Sequence, residues 1–202
     1  MKFCFSTSNV NPKSFLDLCN IASKYGFDGF EFYDAKSFDT RFDDSIFKQS
    51  NNAGAKRKLV NRHTGISAVN CPFAINPSTD ADKIKQYVDY AIDCLAENVV
   101  IVIDDVYDVE TLTPVLMPAI NLAEKLGVKI LIETKGEYAE TENVLDVING
   151  FAKSALGICW NMKETFFFGK ETADRTIQNL GSYISYVKIG DMKDGKTVLI
   201  GE

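Results

Sequence analysis

Residues 128–161 read VKILIETKGEYAETENVLDVINGFAKSALGICWN, and this stretch decides the fold. An apolar run stands at each of its ends, at 128–133 and at 156–161. Short apolar runs of this length are typical of strands buried on both faces. Between the two runs, the apolar residues that follow Thr141 recur at helical spacing. A strand, a helix and a second strand in this order predict a βαβ unit, whose two strands are parallel.

The same alternation of strand-like and helical stretches extends over the rest of the chain. Seven runs are predicted as strands, at 2–6, 29–33, 66–70, 99–104, 128–133, 156–161 and 186–189. Asn11 and Pro12 predict the start of the first helix, as N-cap and first helical residue. Gly26 predicts the end of that helix, because glycine readily adopts the left-handed conformation of a C-cap. The pattern is least clear between residues 38 and 62.

Seven such units could form an open doubly wound sheet or a barrel. No G-x-G-x-x-G follows any of the predicted strands, so the nucleotide-binding version of the open sheet is not favoured. We therefore predict an α/β fold, a (β/α) TIM-type barrel with about seven of its eight strands present and the C-terminal strand and helix missing. Residues 1–202 are interpreted as a single domain, truncated at its C-terminus. Asp194 and Gly195 predict a hairpin turn after the seventh strand.

Composition limits the class of protein. The formal net charge is −6 and the basic residues are scattered, which argues against binding to nucleic acid or to an anionic membrane. A small neutral or anionic metabolite is the more natural ligand. Five cysteines stand singly, and the chain has neither an apolar signal segment nor a run long enough to span a membrane. These features predict a soluble cytoplasmic protein. The single histidine, His63, excludes any mechanism that needs two imidazoles.

Polar side chains follow the ends of the predicted strands. In a (β/α) barrel these positions converge on one mouth, where the ligand site lies. Read in chain order, they are Glu31 and Asp34, Asn70, Asp104 and Asp105, Glu133 and Lys135, Asn161, and Lys188 and Asp191. Polar groups in such places are better explained by a site than by solvation.

Three of these segments resemble a known family. The runs at 130–138, 157–161 and 186–191, together with the second strand at 29–32, look like successive parts of the xylose-isomerase-like sugar and sugar-phosphate isomerases and epimerases. The resemblance covers essentially the whole chain. It implies a divalent metal such as Mn, Mg, Zn or Co at the barrel mouth, where the metal polarises the substrate and carboxylates move a proton through an enediolate.

Carried over residue by residue, the family's metal ligands are mostly replaced. The glutamate that ends strand five is retained as Glu133, but Asn161 stands in place of an aspartate and Lys188 in place of a histidine. Lys135 stands in place of a second histidine, and the glutamate of strand eight would lie beyond Glu202. An ammonium has no free lone pair for a cation. We therefore expect no metal ligands and no bound cofactor.

The candidate site follows from these replacements. Glu133 and Lys188 are the candidate catalytic residues, with Lys188 buried, paired with Glu133 or Asp191, and acting as an electrophile or forming a Schiff base. The candidate substrate-binding residues are Glu31, Asn70, Lys135, Asn161 and Asp191. The function predicted is that of a sugar or sugar-phosphate isomerase or epimerase-like protein whose activity is either lost or independent of metal.

The alternative is a barrel without catalytic activity that binds a carbohydrate-like ligand or a partner protein. His63 is expected at the surface and Trp160 in the core, while the aromatic run 166–168 is left open between a lid over the site and an oligomer contact. Because the first and seventh strands of an incomplete barrel lack a neighbour, a homo-oligomer is also predicted.

Overall fold

The fold is built on a sheet of seven parallel strands. In the computed structural model, which describes residues 1–201, these strands follow one another in chain order across the sheet. They are β1 Cys4–Ser6, β2 Gly29–Phe32, β3 Gly65–Ile75, β4 Asn98–Ile103, β5 Lys129–Glu133, β6 Leu156–Asn161 and β7 Ile184–Lys188. Parallel neighbours in unbroken chain order are the arrangement of a (β/α) barrel, so the predicted fold class and its seven strands are confirmed.

Eight helices connect and cover the strands. They are α1 Phe15–Tyr25, α2 Ala35–Arg41, α3 Gln49–Val60, α4 Ala81–Cys94, α5 Val109–Leu126, α6 Thr141–Phe151, α7 Met162–Phe167 and α8 Ala173–Leu180. The main core lies between the helices and the outer face of the sheet, where Phe15 of α1 packs edge-on against Phe30 of β2. Trp160 is buried, as predicted. Within residues 1–201, no helix has the length and apolarity needed to cross a membrane.

Side-chain contacts across the interior show that the sheet is strongly curled. In a flat sheet, β3 and β7 would lie about 19 Å apart, since neighbouring strands are about 4.8 Å apart. Instead, the hydroxyl groups of Ser67 on β3 and Tyr186 on β7 are 3.1 Å apart and share a hydrogen bond. The seven strands therefore wrap around a common interior.

The first helix begins later than the sequence predicts. Its N-cap is Ser14, whose Oγ accepts a hydrogen bond from the backbone N–H of Asp17 at 3.1 Å. The carboxylate of Asp44 accepts two more, from the N–H groups of Phe15 and Leu16. The predicted start at Asn11 is wrong because the acceptor that caps the first N–H groups of the helix, Asp44, comes from a distant part of the chain. The predicted end at Gly26 is confirmed, with φ at 73°.

The hairpin predicted around Asp194 is present and stands apart from the barrel sheet. Strands β8 Asp191–Lys193 and β9 Lys196–Val198 pair antiparallel as a separate two-stranded sheet. Among residues 1–201, neither β1 nor β7 has a strand on its outer side. The predicted self-association through these edges stays a prediction.

A carboxylate ties α6 to α8 on the outside of the barrel. Glu171 accepts hydrogen bonds from the N–H of Thr141 at 2.9 Å and from its hydroxyl at 2.8 Å, while its second oxygen accepts from the hydroxyl of Thr176 at 3.0 Å. Both threonines are fully buried. We call these three residues the Glu171 clamp.

Candidate functional site

Five polar side chains from five strands meet inside the barrel. They are Glu31 on β2, Asn70 on β3, Glu133 on β5, Asn161 on β6 and Lys188 on β7. We call them the mouth cluster. Four of them lie at the last or next-to-last residue of their strand, whereas β3 continues for five residues beyond Asn70. Because all seven strands run in the same direction, their last residues reach the same end of the barrel. All five belong to the set predicted from the sequence.

Lys188 is the centre of the mouth cluster. Its Nζ donates hydrogen bonds to Glu133 Oε2 at 2.7 Å and to Asn70 Oδ1 at 3.0 Å, and lies 3.6 Å from Glu31 Oε1. Burial disfavours the charged amine, but the two carboxylates outweigh this effect and raise the pKa of Lys188 above its ordinary value. Lys188 is therefore an ammonium at neutral pH. The predicted pairing with Glu133 is confirmed.

Glu133 is held from both sides. Besides the bond from Lys188 to Oε2, its Oε1 accepts a hydrogen bond from Asn161 Nδ2 at 2.7 Å. Asn161 is fixed in turn, because its Oδ1 accepts from the N–H of Glu164 at the start of α7 and its own N–H donates to Thr134 Oγ1. Each oxygen of the Glu133 carboxylate is thus committed to a donor on another strand.

Glu31 differs from Glu133 in having an oxygen without a partner. The residue is only 4% exposed, and its buried Oε2 receives no hydrogen bond. Its other oxygen lies 3.6 Å from Lys188 Nζ, which is longer than a hydrogen bond. A buried acceptor of this kind costs about 1 to 3 kcal/mol if nothing fills it. A ligand that donates a hydrogen bond to this oxygen would explain why the protein leaves it without a partner.

The floor beneath the mouth cluster is chemically inert. Ala68, Val100, Leu131 and Cys159 form a small apolar cluster there, with Tyr186 packed against it. Burial raises the pKa of the Cys159 thiol and of the Tyr186 phenol well above their ordinary values, so both stay neutral at physiological pH. The polar end of the barrel interior therefore lies on a closed apolar layer.

Two predicted site residues lie outside the mouth cluster. Lys135 is exposed at the rim, two residues after the end of β5. Asp191 lies in the hairpin, where its carboxylate accepts hydrogen bonds from the backbone N–H groups of Gly201 and Met192, and these bonds lower its pKa. The predicted alternative pairing of Asp191 with Lys188 is not found, because the backbone turns away after β7. Exposed His63 lies just before β3, at the opposite end, as expected.

A cleft of about 460 Å³ opens at the same end of the barrel, beside the ends of β4 and β5. Its charged lining consists of four carboxylates, from Asp104, Glu137, Glu140 and Glu164, and one ammonium, from Lys135. The ring of Phe168, which is 57% exposed, forms part of its wall. One member of the aromatic run left open by the sequence therefore faces the mouth.

The donors present do not fit a divalent metal. Among residues 1–201, no three His, Cys, Asp or Glu side chains are grouped so that they could hold a metal ion. Within the mouth cluster, the Lys188 ammonium lies against Glu133 and Asn70, the oxygens that a cation would need. A second cation at this place would be repelled by the first.

Sequence reasoning missed two hydroxyl groups that support the cluster. Thr134 Oγ1 accepts the hydrogen bond that fixes the backbone of Asn161, and Ser67 holds Tyr186, two residues before Lys188. The alternation along β7 placed Tyr186 on the interior face, but no sequence signal pairs it with a residue 119 positions away. Thr134 follows Glu133 directly, so its position at a strand end was the available signal.

Comparison with known proteins assigns the fold to a family. The model of the xylose isomerase-like TIM barrel matches residues 19–200. The chain belongs to this family. The matched region contains every residue of the mouth cluster, so the xylose isomerase-like barrel is the framework that carries the cluster.

Solved structures of the same barrel share little sequence with this chain. The probable 3-DHS dehydratase AsbF of Bacillus anthracis has a TM-score of 0.77 at 14% identity, covering 96% of this chain and 75% of that one. The 3-keto-D-glucoside 4-epimerase YcjR of E. coli has 0.75 at 12%, covering 95% and 79%. The IOLI protein with a bound zinc atom has 0.72 at 18%, covering 100% and 76%. At these identities the likeness shows the fold alone. No curated protein matches the sequence.

Proposed function

We propose that the mouth cluster binds a small carbohydrate and that the protein is a sugar isomerase or epimerase-like enzyme. The observation that carries the proposal is the Lys188 ammonium, fixed at the barrel mouth between carboxylates. Sugar isomerisation and epimerisation pass through an enediolate, in which negative charge develops on a substrate oxygen. A preorganised positive charge in a largely water-free site stabilises such an oxyanion.

In this proposal Lys188 takes the place of the family's divalent ion. Its ammonium stands on the strand that carries a metal-ligating histidine in the family, and its three N–H donors can be shared with a carbonyl or hydroxyl oxygen. Asn70 and Glu133 keep the ammonium in place, and Asn161 orients Glu133. The enzyme then needs no metal for the proton transfer.

A Schiff base on Lys188 is disfavoured. Attack on a carbonyl requires the neutral amine, and enzymes that use lysine in this way lower its pKa. Here Glu31 and Glu133 raise the pKa of Lys188 instead. The lysine is therefore suited to stabilise charge and unsuited to act as a nucleophile.

Relatives with the same barrel support the choice of a sugar. One of the similar structures is a 3-keto-D-glucoside 4-epimerase. The cleft at the mouth, with its exposed Phe168 and its carboxylates, offers the aromatic face and the hydrogen-bond acceptors that suit a polyhydroxylated ring. Lys135 lines this cleft, so we keep its predicted contact with substrate as part of the proposal. The predicted contact of Asp191 with substrate stays a prediction.

The second candidate is a barrel that binds a carbohydrate-like ligand without turnover. It is favoured by one observation: both oxygens of Glu133 are already hydrogen-bonded, which leaves the family's usual catalytic glutamate occupied. Binding without proton exchange is its expected signature.

Proton exchange tests the two candidates against each other. D-Fructose, D-tagatose, D-psicose and D-fructose 6-phosphate are incubated with the full chain in D₂O and EDTA, and loss of the proton beside the carbonyl is followed by NMR. We expect exchange with at least one sugar, its loss in Lys188→Met, and wild-type exchange in Lys83→Met, a control on the exposed face of α4.

Three outcomes contradict the proposal. Exchange that requires added Mn, Mg, Zn or Co would restore the ordinary metal mechanism. Exchange that survives in Lys188→Met would remove the ammonium from the reaction. Binding of a sugar with no exchange would establish the second candidate.

A further inference from the structure

We propose that Glu31, and not Glu133, is the base of this site, and that the site isomerises an unphosphorylated hydroxycarbonyl sugar on one face rather than epimerising it. The inference rests on the proposed function and deepens it. It follows from which carboxylate has a free oxygen, from the charges around the mouth, and from the number of groups that can accept a proton.

Both oxygens of Glu133 already accept a short hydrogen bond from the protein. Asn161 donates to one oxygen and Lys188 to the other, both at 2.7 Å. Protonation of Glu133 would remove the negative charge that holds the Lys188 ammonium, and the bond to Lys188 is the shortest that the ammonium makes. Glu133 is therefore a positioning residue that holds Lys188.

Glu31 has the free acceptor. Its Oε2 is buried without a hydrogen-bond partner, and its Oε1 lies 3.6 Å from Lys188 Nζ. A ligand oxygen that accepts a hydrogen bond from Lys188 is thereby placed beside the Glu31 carboxylate. Oε2 is inaccessible in the structure. In this proposal the Glu31 carboxylate therefore turns to meet a hydroxyl or an acidic C–H of the same ligand, which fills the acceptor that the protein leaves open.

The charges select a ligand without a phosphate. Lys188 is one positive charge against two negative charges, from Glu31 and Glu133, so the cluster has an excess of negative charge. The neighbouring cleft adds four carboxylates against the single ammonium of Lys135. A phosphate dianion would meet repulsion at the mouth, whereas an uncharged sugar meets acceptors for its hydroxyl protons.

One base supports isomerisation. Glu31 takes the proton of the C–H beside the carbonyl, the electrons of that bond form the C=C bond, and the carbonyl electrons move to the oxygen that Lys188 stabilises. That oxygen then takes the proton of the neighbouring hydroxyl, whose oxygen becomes the new carbonyl. The C=C electrons collect the proton from Glu31 at the former carbonyl carbon. One proton has moved between carbons and one between oxygens, with no oxidant or reductant.

Epimerisation needs a second group, on the opposite face of the same carbon. Lys188 is an ammonium and cannot accept a proton, and the thiol of Cys159 and the phenol of Tyr186 are neutral at physiological pH. Among the mouth-cluster residues described, Glu31 is the only one with a free buried acceptor. Within the mouth cluster, the geometry therefore provides one base, and no residue of the cluster lines the neighbouring cleft with its carboxylates.

The experiment compares two glutamate variants in the full chain. Glu31→Gln keeps the size of the side chain and removes its basicity, and Glu110→Gln makes the same change on the exposed first turn of α5. D-Fructose, D-tagatose and D-fructose 6-phosphate serve as probes. Exchange of the proton beside the carbonyl, sugar binding by ligand-observed NMR, and the identity of the products are measured, with thermal melting as the check on folding.

We expect an aldose product with no 3-epimer, and faster exchange with an unphosphorylated sugar than with D-fructose 6-phosphate. Exchange should fall about 100-fold or more in Glu31→Gln while sugar binding changes less than about tenfold, and Glu110→Gln should match the wild type. If Glu31→Gln fails to fold, product analysis of the wild type decides: an aldose alone supports the proposal, and a 3-epimer overturns it.

Wild-type exchange in Glu31→Gln, or preference for the phosphorylated sugar, would also overturn the inference and leave the proposed function standing. A wild-type protein that exchanges neither these three probe sugars nor D-psicose, the fourth sugar used to test the proposed function, would count against the proposed function itself and remove the inference with it.

Discussion

The mouth cluster and the Glu171 clamp are two solutions to the same problem, a carboxylate held among buried groups. In the clamp, Glu171 receives its hydrogen bonds from neutral donors, the N–H and hydroxyl of Thr141 and the hydroxyl of Thr176. In the mouth cluster, two carboxylates share one ammonium, and the buried Oε2 of Glu31 receives nothing.

The two regions differ in whether the protein itself supplies hydrogen-bond donors to the carboxylate oxygens. Both oxygens of Glu171 are filled by the protein itself, which is what stability favours, since an unfilled buried acceptor costs free energy. The unfilled oxygen of Glu31 and the excess charge around it weaken the fold locally. A local departure from full satisfaction is expected where a site binds something else.

The largest effect is expected when the mouth cluster loses its cation. Lys188→Met leaves Glu31 and Glu133 buried without a counter-charge, so the free energy of unfolding should fall by about 3 to 5 kcal/mol at neutral pH. Urea denaturation measures this, with Lys83→Met expected within about 0.5 kcal/mol of the wild type. A Lys188→Met variant as stable as the wild type would show that the ammonium does not contribute to the stability of the fold.

A smaller loss is expected in the clamp. Glu171→Gln keeps one acceptor oxygen and loses the charge that strengthens the bonds from Thr141 and Thr176, which should lower the free energy of unfolding by about 1.5 to 3 kcal/mol. The matched control is Glu110→Gln, whose stability should not change. Equal stability of both variants would mean that the helices α6 and α8 do not depend on the clamp.

Alkaline pH should distinguish the two regions. The folded-state pKa of Lys188 is raised, so its ion pairs contribute fully below the unfolded-state pKa of about 10.4 and are lost as the pH rises through the folded-state value. Above about pH 10.4, the wild type should therefore lose stability more steeply than Lys188→Met, by at most about 1.4 kcal/mol per pH unit. Glu171→Gln should keep the wild-type slope. Parallel pH curves for wild type and Lys188→Met would contradict the raised pKa.

The smallest effect is expected at the unfilled oxygen. Glu31→Gln removes an unpartnered carboxylate oxygen and the excess negative charge, but also the ion pair with Lys188 at 3.6 Å. Because these effects oppose each other, the free energy of unfolding should change by less than about 1 kcal/mol in either direction. Thermal and urea unfolding measure it. A loss as large as that of Lys188→Met would make Glu31 a structural residue and place it with the clamp.

The sequence predicted the parts of the site that depend on strand order and alternation. Glu133, Asn161 and Lys188 end adjacent strands, so the parallel arrangement alone brings them together. Glu31 and Asn70 followed from the same rule on β2 and β3. The pattern could not predict which of the two glutamates has both oxygens hydrogen-bonded, because that depends on distances of tenths of an ångström across the barrel.

Other misses also came from contacts between distant parts of the chain. Asp44 fixes the start of α1 through two backbone N–H groups 28 and 29 residues away. Residues 38–62 gave no clear pattern because Gly54 and a pair of asparagines weaken α3, whose place depends on tertiary contacts such as the bond from Asn52 Nδ2 to the carbonyl of Asp93. Local propensity contains no information about either.

The position of Lys188 along the chain has a consequence for biosynthesis. The two carboxylates that Lys188 neutralises are translated well before it, Glu31 by 157 residues and Glu133 by 55 residues. During synthesis the interior of the growing barrel therefore carries carboxylates without their cation until β7 leaves the ribosome. The mouth cluster is thus completed last, when β7 docks and also closes the hydrogen bond between Tyr186 and Ser67.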